Sequence, residues 1–221
     1  MKALEYIEFE TKTPAKACVI WLHGLGADGY DFQPVVPALE LDNDVGIKFV
    51  FPHAPHISVT INNGAIMPAW YDISGLDKTA KIDLTGIRQS VQQIYHIIQK
   101  VNSTGIPFSK IIIAGFSQGG LIATEAALSF HRPLAGLLSI SSYFPTPQWT
   151  LIKNCNRNLS ALVCHGTHDD MVNHNLGKKT YESLTRIGCD AEYKAYSTGH
   201  NVIKEELVDI GTWMCKTLNT R

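Results

Sequence analysis

The chain has 221 residues, of which 45% are apolar and 18% charged, with 17 glycines and 10 prolines. This is ordinary globular composition, and it excludes disorder, collagen-like repeats and a disulfide miniprotein. Lysine and arginine total 19 against 20 aspartates and glutamates, a formal net charge of -1, so there is no electrostatic footprint for nucleic acid and no charge run to anchor the chain on a membrane.

In chain order, Ala17–Leu22 and Ile47–Phe51 read as strands. Ile87, Val91, Ile94, Tyr95 and Ile98 share one face of a helix expected from about Leu84 to Val101. Ile111–Ala114 is a continuous apolar run, the kind buried on both faces of a parallel sheet. A helix from Gln118 to about Phe130 follows, then strands at Leu134–Ile140 and Ser160–Cys164. A helix at about His174–Ile187, a strand at Ala191–Tyr196 and a last helix at about Val202–Leu218 complete the series. Such alternation predicts an α/β fold with a mainly parallel sheet covered by helices on both faces. No repeat or linker-like tract divides it, so residues 1–221 are expected to form one domain. Active residues are then expected on loops at the carboxyl ends of the strands.

Five cysteines, an odd number with no C-x-x-C pair, and a start without signal-peptide character favour a reducing, cytoplasmic compartment. Two stretches, Phe49–Tyr71 and Pro133–Ile152, contain no charged residue. Prolines, asparagines and serines interrupt both, so neither is expected to span a membrane. Uncharged, loop-like segments of this kind often line a pocket.

Gly115-Phe116-Ser117-Gln118-Gly119 is a G-x-S-x-G. The pattern is weak as a string and strong in context, because it leaves an apolar strand and opens directly into a helix. A serine on that turn projects its hydroxyl out of the sheet and sits over a helix N-terminus. The Gln118 N–H then faces any oxyanion formed at an attacked carbonyl. The hydroxyl needs a base, and the base an orienting acid. In this fold class they follow in the order serine, acid, histidine. Downstream histidines are His131, His165, His168, His174 and His200. His200, after the strand ending at Tyr196, has the expected position for the base. His131 and His174 lie at helix ends. The acid is expected in His165-Gly-Thr-His-Asp169-Asp170, after the strand ending at Cys164, and periodicity does not choose between Asp169 and Asp170. A metal site built on His165, His168 and His174 is the rival reading, but His-x-x-His on a loop fixes no shared ligand face. Leu22-His23-Gly24-Leu25-Gly26-Ala27-Asp28-Gly29 follows an early strand, where a second oxyanion donor belongs, and it matches no dinucleotide or Walker fingerprint.

These residues resemble the carboxylesterase/phospholipase family of small α/β-hydrolases that includes the acyl-protein thioesterases. The likeness is carried by Leu22-His-Gly-Leu-Gly26, Pro52-His-Ala-Pro55, Val59-Thr-Ile-Asn62, Met67-Pro-Ala-Trp-Tyr-Asp-Ile73, Gly115-Phe-Ser-Gln-Gly-Gly120, His165-Gly-x-x-Asp169 and Gly199-His200, in family order over about residues 17–218. The resemblance implies an α/β-hydrolase fold without a cap domain. It also implies Ser117 as nucleophile, Asp169 as acid, His200 as base, and the N–H groups of Leu25 and Gln118 as the oxyanion hole. It chooses Asp169 over Asp170. Asn173 stands where the family usually has proline, and Asn201 where it commonly has serine.

The implied reaction is hydrolysis of an ester or thioester with an apolar acyl chain through an acyl-serine. The substrate would be a small ester, a lipid or an acylated protein, and no metal or organic cofactor is required. Leu76, Trp70, Tyr143 and Phe144 are candidate acyl contacts, with Trp70 fitting core packing at least as well. Exposed groove walls would suit a homodimer interface as readily as lipid. The alternative is a non-catalytic relative that keeps the pocket as a ligand-binding site.

Overall fold

A computed structural model describes residues 3–41, 46–75, 81–145, 156 and 158–219. The elements are β1 (Tyr6–Glu10), β2 (Ala17–Leu22), β3 (Ile47–Pro52), β4 (His56–Val59), β5 (Ala65–Pro68), α1 (Leu84–Ser103), β6 (Ile111–Phe116), α2 (Gln118–Ser129), β7 (Gly136–Ile140), β8 (Ser160–Gly166), α3 (His174–Ile187), β9 (Asp190–Tyr196) and α4 (Lys204–Asn219). Seven strands form one sheet in the order β1-β3-β2-β6-β7-β8-β9. Only β1 runs against its neighbour, pairing Tyr6 with Pro52 and Glu10 with Lys48. The expected strands and helices are all present, with ends moved by a few residues. The additions are β1, the β4–β5 hairpin and 3₁₀ turns at Gln33–Leu39, Thr60–Asn62 and Phe108–Lys110.

The sheet separates two apolar layers, and β2 shows how the sequence builds both. Cys18, Ile20 and Leu22 face α1 and α2, while Ala17, Val19 and Trp21 face the side covered by α4. On α1, Ile87, Val91, Ile94 and Ile98 form the buried stripe, and each fully buried aliphatic side chain is worth about 1.5–3 kcal/mol. Asp83 starts this helix, its Oδ1 accepting from the Gly86 N–H at 2.9 Å. Every residue of α2 from Gln118 to Leu128 is buried, which makes it the central helix of the fold.

After β2 the chain steps outward to β3, then crosses back to place β6 on the other side of β2. A crevice opens at such a reversal, beyond the carboxyl ends of the two strands. The residues that follow β2 are His23 to Gly26, and the residue that follows β6 is Ser117. Topology alone therefore brings the glycine loop and the elbow serine together.

Candidate active site

Ser117 occupies the turn between β6 and α2 with φ 52° and ψ -120°, a conformation that non-glycine residues rarely adopt. The turn is held by its neighbours. The Ser117 N–H donates to the Ile140 carbonyl at 2.9 Å, and the Ser142 hydroxyl donates to the Ser117 carbonyl at 2.7 Å. The first turn of α2 lies so close to the end of β2 that a Cβ on Gly119 would stand 2.4 Å from the His23 carbonyl oxygen. Glycine there is a packing requirement.

The Ser117 hydroxyl lies 2.9 Å from Nε2 of His200, and Nδ1 of His200 lies 2.7 Å from Oδ2 of Asp169. The His200 ring packs on Phe116, with centroids 4.8 Å apart. Asp169 is buried, and its other oxygen accepts from the N–H groups of Met171 at 3.0 Å and Val172 at 2.7 Å. Asp170, which the sequence alone left equal to it, is exposed. The loops carrying Asp169 and His200 are bonded to each other. The Thr167 N–H donates to Tyr196 O at 2.8 Å and the His168 N–H to Thr198 O at 2.9 Å. A Cβ on Gly166 would meet the Gly199 carbonyl oxygen at 2.3 Å, so only glycine lets the loops approach this closely.

Behind Asp169 stands His165, fully buried, with Nε2 2.8 Å from the Val172 carbonyl and 3.3 Å from Asp169 Oδ2. A carbonyl only accepts, so Nε2 carries the proton. The bare Nδ1 is buried without a partner. Burial pulls the His165 imidazole below its ordinary value, which keeps the ring neutral. His168 is exposed, and among the described residues no three His, Cys, Asp or Glu side chains converge as a metal ion would need.

His23 has the same kind of supporting place on the other side of the serine. Its Nε2 accepts from the Ala54 N–H at 3.1 Å, so the proton is on Nδ1, which donates to the Gly24 carbonyl at 2.7 Å. Burial lowers this imidazole too. The Gly26 N–H is spent on the Pro68 carbonyl at 2.9 Å, whereas no partner engages the N–H of Leu25 among the described residues. The side chain of Gln118 reaches back to the segment after β5: Oε1 accepts from the Trp70 N–H at 2.9 Å and Nε2 donates to the Tyr71 carbonyl at 2.7 Å. Trp70 is 1% exposed, and its indole N–H donates to the His23 carbonyl at 2.8 Å. Its ring thus braces the glycine loop, the core-packing role that the sequence favoured at least as much as an acyl contact. Phe144 is likewise a core residue, packed in the layer that holds α1 and α2. Tyr143 is half-buried, its hydroxyl 3.0 Å from that of Tyr71, and Leu76 lies outside the described residues.

The residue pattern missed His23 and the Gln118 side chain as supports. Their only signal was that histidine or glutamine stood in an apolar setting beside a glycine turn. The two departures from family pattern are absorbed locally. Asn173 caps α3, its Oδ1 accepting from the Asn175 N–H at 3.0 Å, and Asn201 accepts from the Thr198 hydroxyl at 2.7 Å.

Residues 5–218 match the model of the family described as phospholipase/carboxylesterase. The chain belongs to that family. It is therefore an α/β-hydrolase and a serine hydrolase acting on carboxylic esters. Acyl-protein thioesterase 1 of Candida albicans is 38% identical over 208 residues, covering 89% of this chain and 90% of that protein. The protein of the same name from Neurospora crassa is 33% identical over 219 residues, covering 91% and 87%. Among solved structures, SOBER1 of Arabidopsis thaliana is similar with a TM-score of 0.84 at 28% identity, covering 92% of this chain and all of that one, 100%. No helix among the described residues is long and apolar enough to cross a membrane.

Proposed function

We propose that Ser117, His200 and Asp169 are the catalytic triad of a hydrolase for thioesters and esters with an apolar acyl chain. The observation that carries this reading is the unbroken line from the Ser117 hydroxyl through both nitrogens of His200 to the buried Asp169 carboxylate, at 2.9 Å and 2.7 Å. Oγ of Ser117 attacks the acyl carbonyl carbon while its proton passes to Nε2 of His200. The imidazolium returns that proton to the leaving thiol or alcohol, and an acyl-serine remains. Water, deprotonated by the same nitrogen, attacks the acyl-serine, and the carboxylic acid leaves as Ser117 recovers its proton. Asp169 holds the His200 Nδ1–H and balances the imidazolium charge. The oxyanion is received by the N–H groups of Gln118, at the start of α2, and of Leu25, which no partner engages among the described residues.

Every step uses protein groups and water, so the scheme calls for no metal or organic cofactor. Preference for a thioester is supported by the names of the relatives from Candida albicans and Neurospora crassa. An apolar acyl group is supported by the uncharged stretch from Phe49 to Tyr71 beside the glycine loop. The thiols of Cys18, Cys164 and Cys189 are free and buried, which favours a reducing, cytoplasmic setting for what we read as one catalytic domain. Ser117→Ala is expected to abolish labelling by a fluorophosphonate probe and to lower kcat by about 10³-fold or more, with unchanged melting. Labelling that persists in this variant would move the nucleophile elsewhere. Rates on p-nitrophenyl esters of increasing chain length, beside an S-acylated peptide, then define the acyl group and the leaving atom.

A further inference from the structure

Away from the triad, α1 and α2 leave a furrow between them of about 250 Å³. Leu84, Ile87, Val91 and Tyr95 line it at the spacing of one helix stripe, with Arg88 and Gln92 on the exposed rim. From α2 come Glu125 and Ser129. Ile87 and Val91 form an apolar floor, and Tyr95 with Ser129 closes one end through a hydroxyl pair 2.6 Å apart. Ser129 donates its proton to the Glu125 main-chain carbonyl, so the Tyr95 hydroxyl is the donor in that pair. Neither hydroxyl proton is left for the Glu125 carboxylate.

That carboxylate is the unusual feature of the furrow. Glu125 is only 8% exposed, and burial is the one influence that shifts its carboxyl. Arg88 shares the furrow without pairing with it. Burial alone pushes the Glu125 carboxyl up to about 7, with no donor or cation to offset it. A largely buried carboxyl costs stability unless water or a ligand at the furrow mouth supplies donors. The shape around it specifies the donor: a cationic head against two acceptor oxygens, and an apolar body along Ile87, Val91 and Leu84. The volume lies below the roughly 300–1,000 Å³ of sites for drug-sized ligands, so the ligand is small. Arg88 on the rim repels a second positive charge, which disfavours di- and polyamines.

We propose that the α1–α2 furrow is a binding site for a primary alkylammonium group, its head on Glu125 and its chain over Ile87 and Val91. The site is independent of the triad reading, since no lining residue belongs to that machinery. Arg88 and Tyr95 are the titratable groups that α1 turns toward it, and α2 adds none but Glu125.

The test is titration of the full chain with n-pentylammonium chloride, followed by calorimetry or ligand-observed NMR, with n-pentanol as the uncharged control. Expected is a Kd on the order of 1 mM, at least about tenfold tighter than for pentanol at pH 8. Because the cation favours the ionised carboxyl, affinity should tighten by about tenfold between pH 6 and pH 8. Glu125→Gln should lose about tenfold or more in affinity, together with the pH dependence. Gln92→Trp, on the exposed rim, keeps the carboxyl and should obstruct entry, which guards against a folding defect in the first variant. Nα-acetyl-lysine methylamide in the same series separates the sources. Tighter binding than pentylammonium assigns the furrow to a lysine side chain, weaker binding to a free amine, and either supports the site. Equal affinity for pentanol and pentylammonium would overturn the proposal. So would binding that survives both substitutions, or no saturation by about 50 mM.

Discussion

Glu206 lies on α4, shortly after the loop that carries His200. It is 1% exposed, and neither carboxylate oxygen has a hydrogen-bond partner among the described residues. Burial raises its carboxyl from the ordinary 4.5 to about 7, with the nearby Ile203 backbone opposing the shift and the charge of Asp209 reinforcing it. The folded chain therefore keeps a proton that the unfolded chain releases between pH 4.5 and about 7. Where the folded state holds more protons, stability falls as pH rises, and it levels off above the folded value. A displacement of that size corresponds to about 3 kcal/mol over the window. Glu206→Gln removes the ionisation, so its stability relative to wild type should rise by about 2–3 kcal/mol between pH 5 and pH 8.5. In a chain of this length that is roughly 4–12 °C of melting temperature. Urea and thermal melts of both proteins at the two pH values measure it. Any fixed cost of placing an amide in the site is the same at each pH and cancels in the comparison. Parallel stability–pH curves for the two proteins would refute the reasoning, because they would mean that Glu206 ionises alike folded and unfolded.

Asp169→Asn should lower kcat by about 10²–10⁴ with little change in KM, since the lost charge matters only when His200 becomes a cation; exposed Asp170→Asn should cost less than about tenfold, and initial rates on one ester compare them. Burial lowers the His23 and His165 imidazoles, so the unfolded chain binds more protons and stability should drop as pH falls below about 6.5, the drop being shallower in His165→Gln. His165→Leu removes the N–H that holds the Val172 carbonyl and should destabilise by about 1–3 kcal/mol in urea melts, with His165→Gln recovering part of the loss by keeping a donor.

Most of the sheet was legible because its strands are buried on both faces. Ile111–Ala114 and Ala17–Leu22 are continuous apolar runs, and nothing but a central parallel strand accommodates them between two helix layers. β1 was not legible because it is an edge strand. Tyr-Ile-Glu-Phe-Glu alternates only weakly, and what pins it is pairing with β3 and the ion pair of Glu10 with Lys48 at 3.1 Å. The β4–β5 hairpin was hidden for a related reason. Its side chains are mostly exposed, so no buried face writes a period into His56–Val59 or Ala65–Pro68.

The two neighbouring aspartates mark where sequence reasoning about the site stops. Asp169 and Asp170 differ in no local property, since both are carboxylates on the loop after β8 and both precede α3. What separates them is acquired across the fold. One carboxylate turns inward to the Met171 and Val172 N–H groups, and the Val172 carbonyl is fixed in turn by His165 at the end of β8. That inward turn exposes Oδ2 to Nδ1 of His200, from a loop 31 residues further on, while the next residue is left facing solvent. The selection depends on loop closure between β8 and β9, and the closure depends on Gly166 admitting the Gly199 carbonyl. The His200 contact and the Gly166–Gly199 approach join segments distant in the chain, and periodicity carries no record of them. A family motif taken whole carries that record, which is why the family resemblance chose Asp169 when the residues considered singly did not. The geometry then supplies the physical reason: burial, two backbone donors and a histidine within 2.7 Å act on one carboxylate and not on its neighbour.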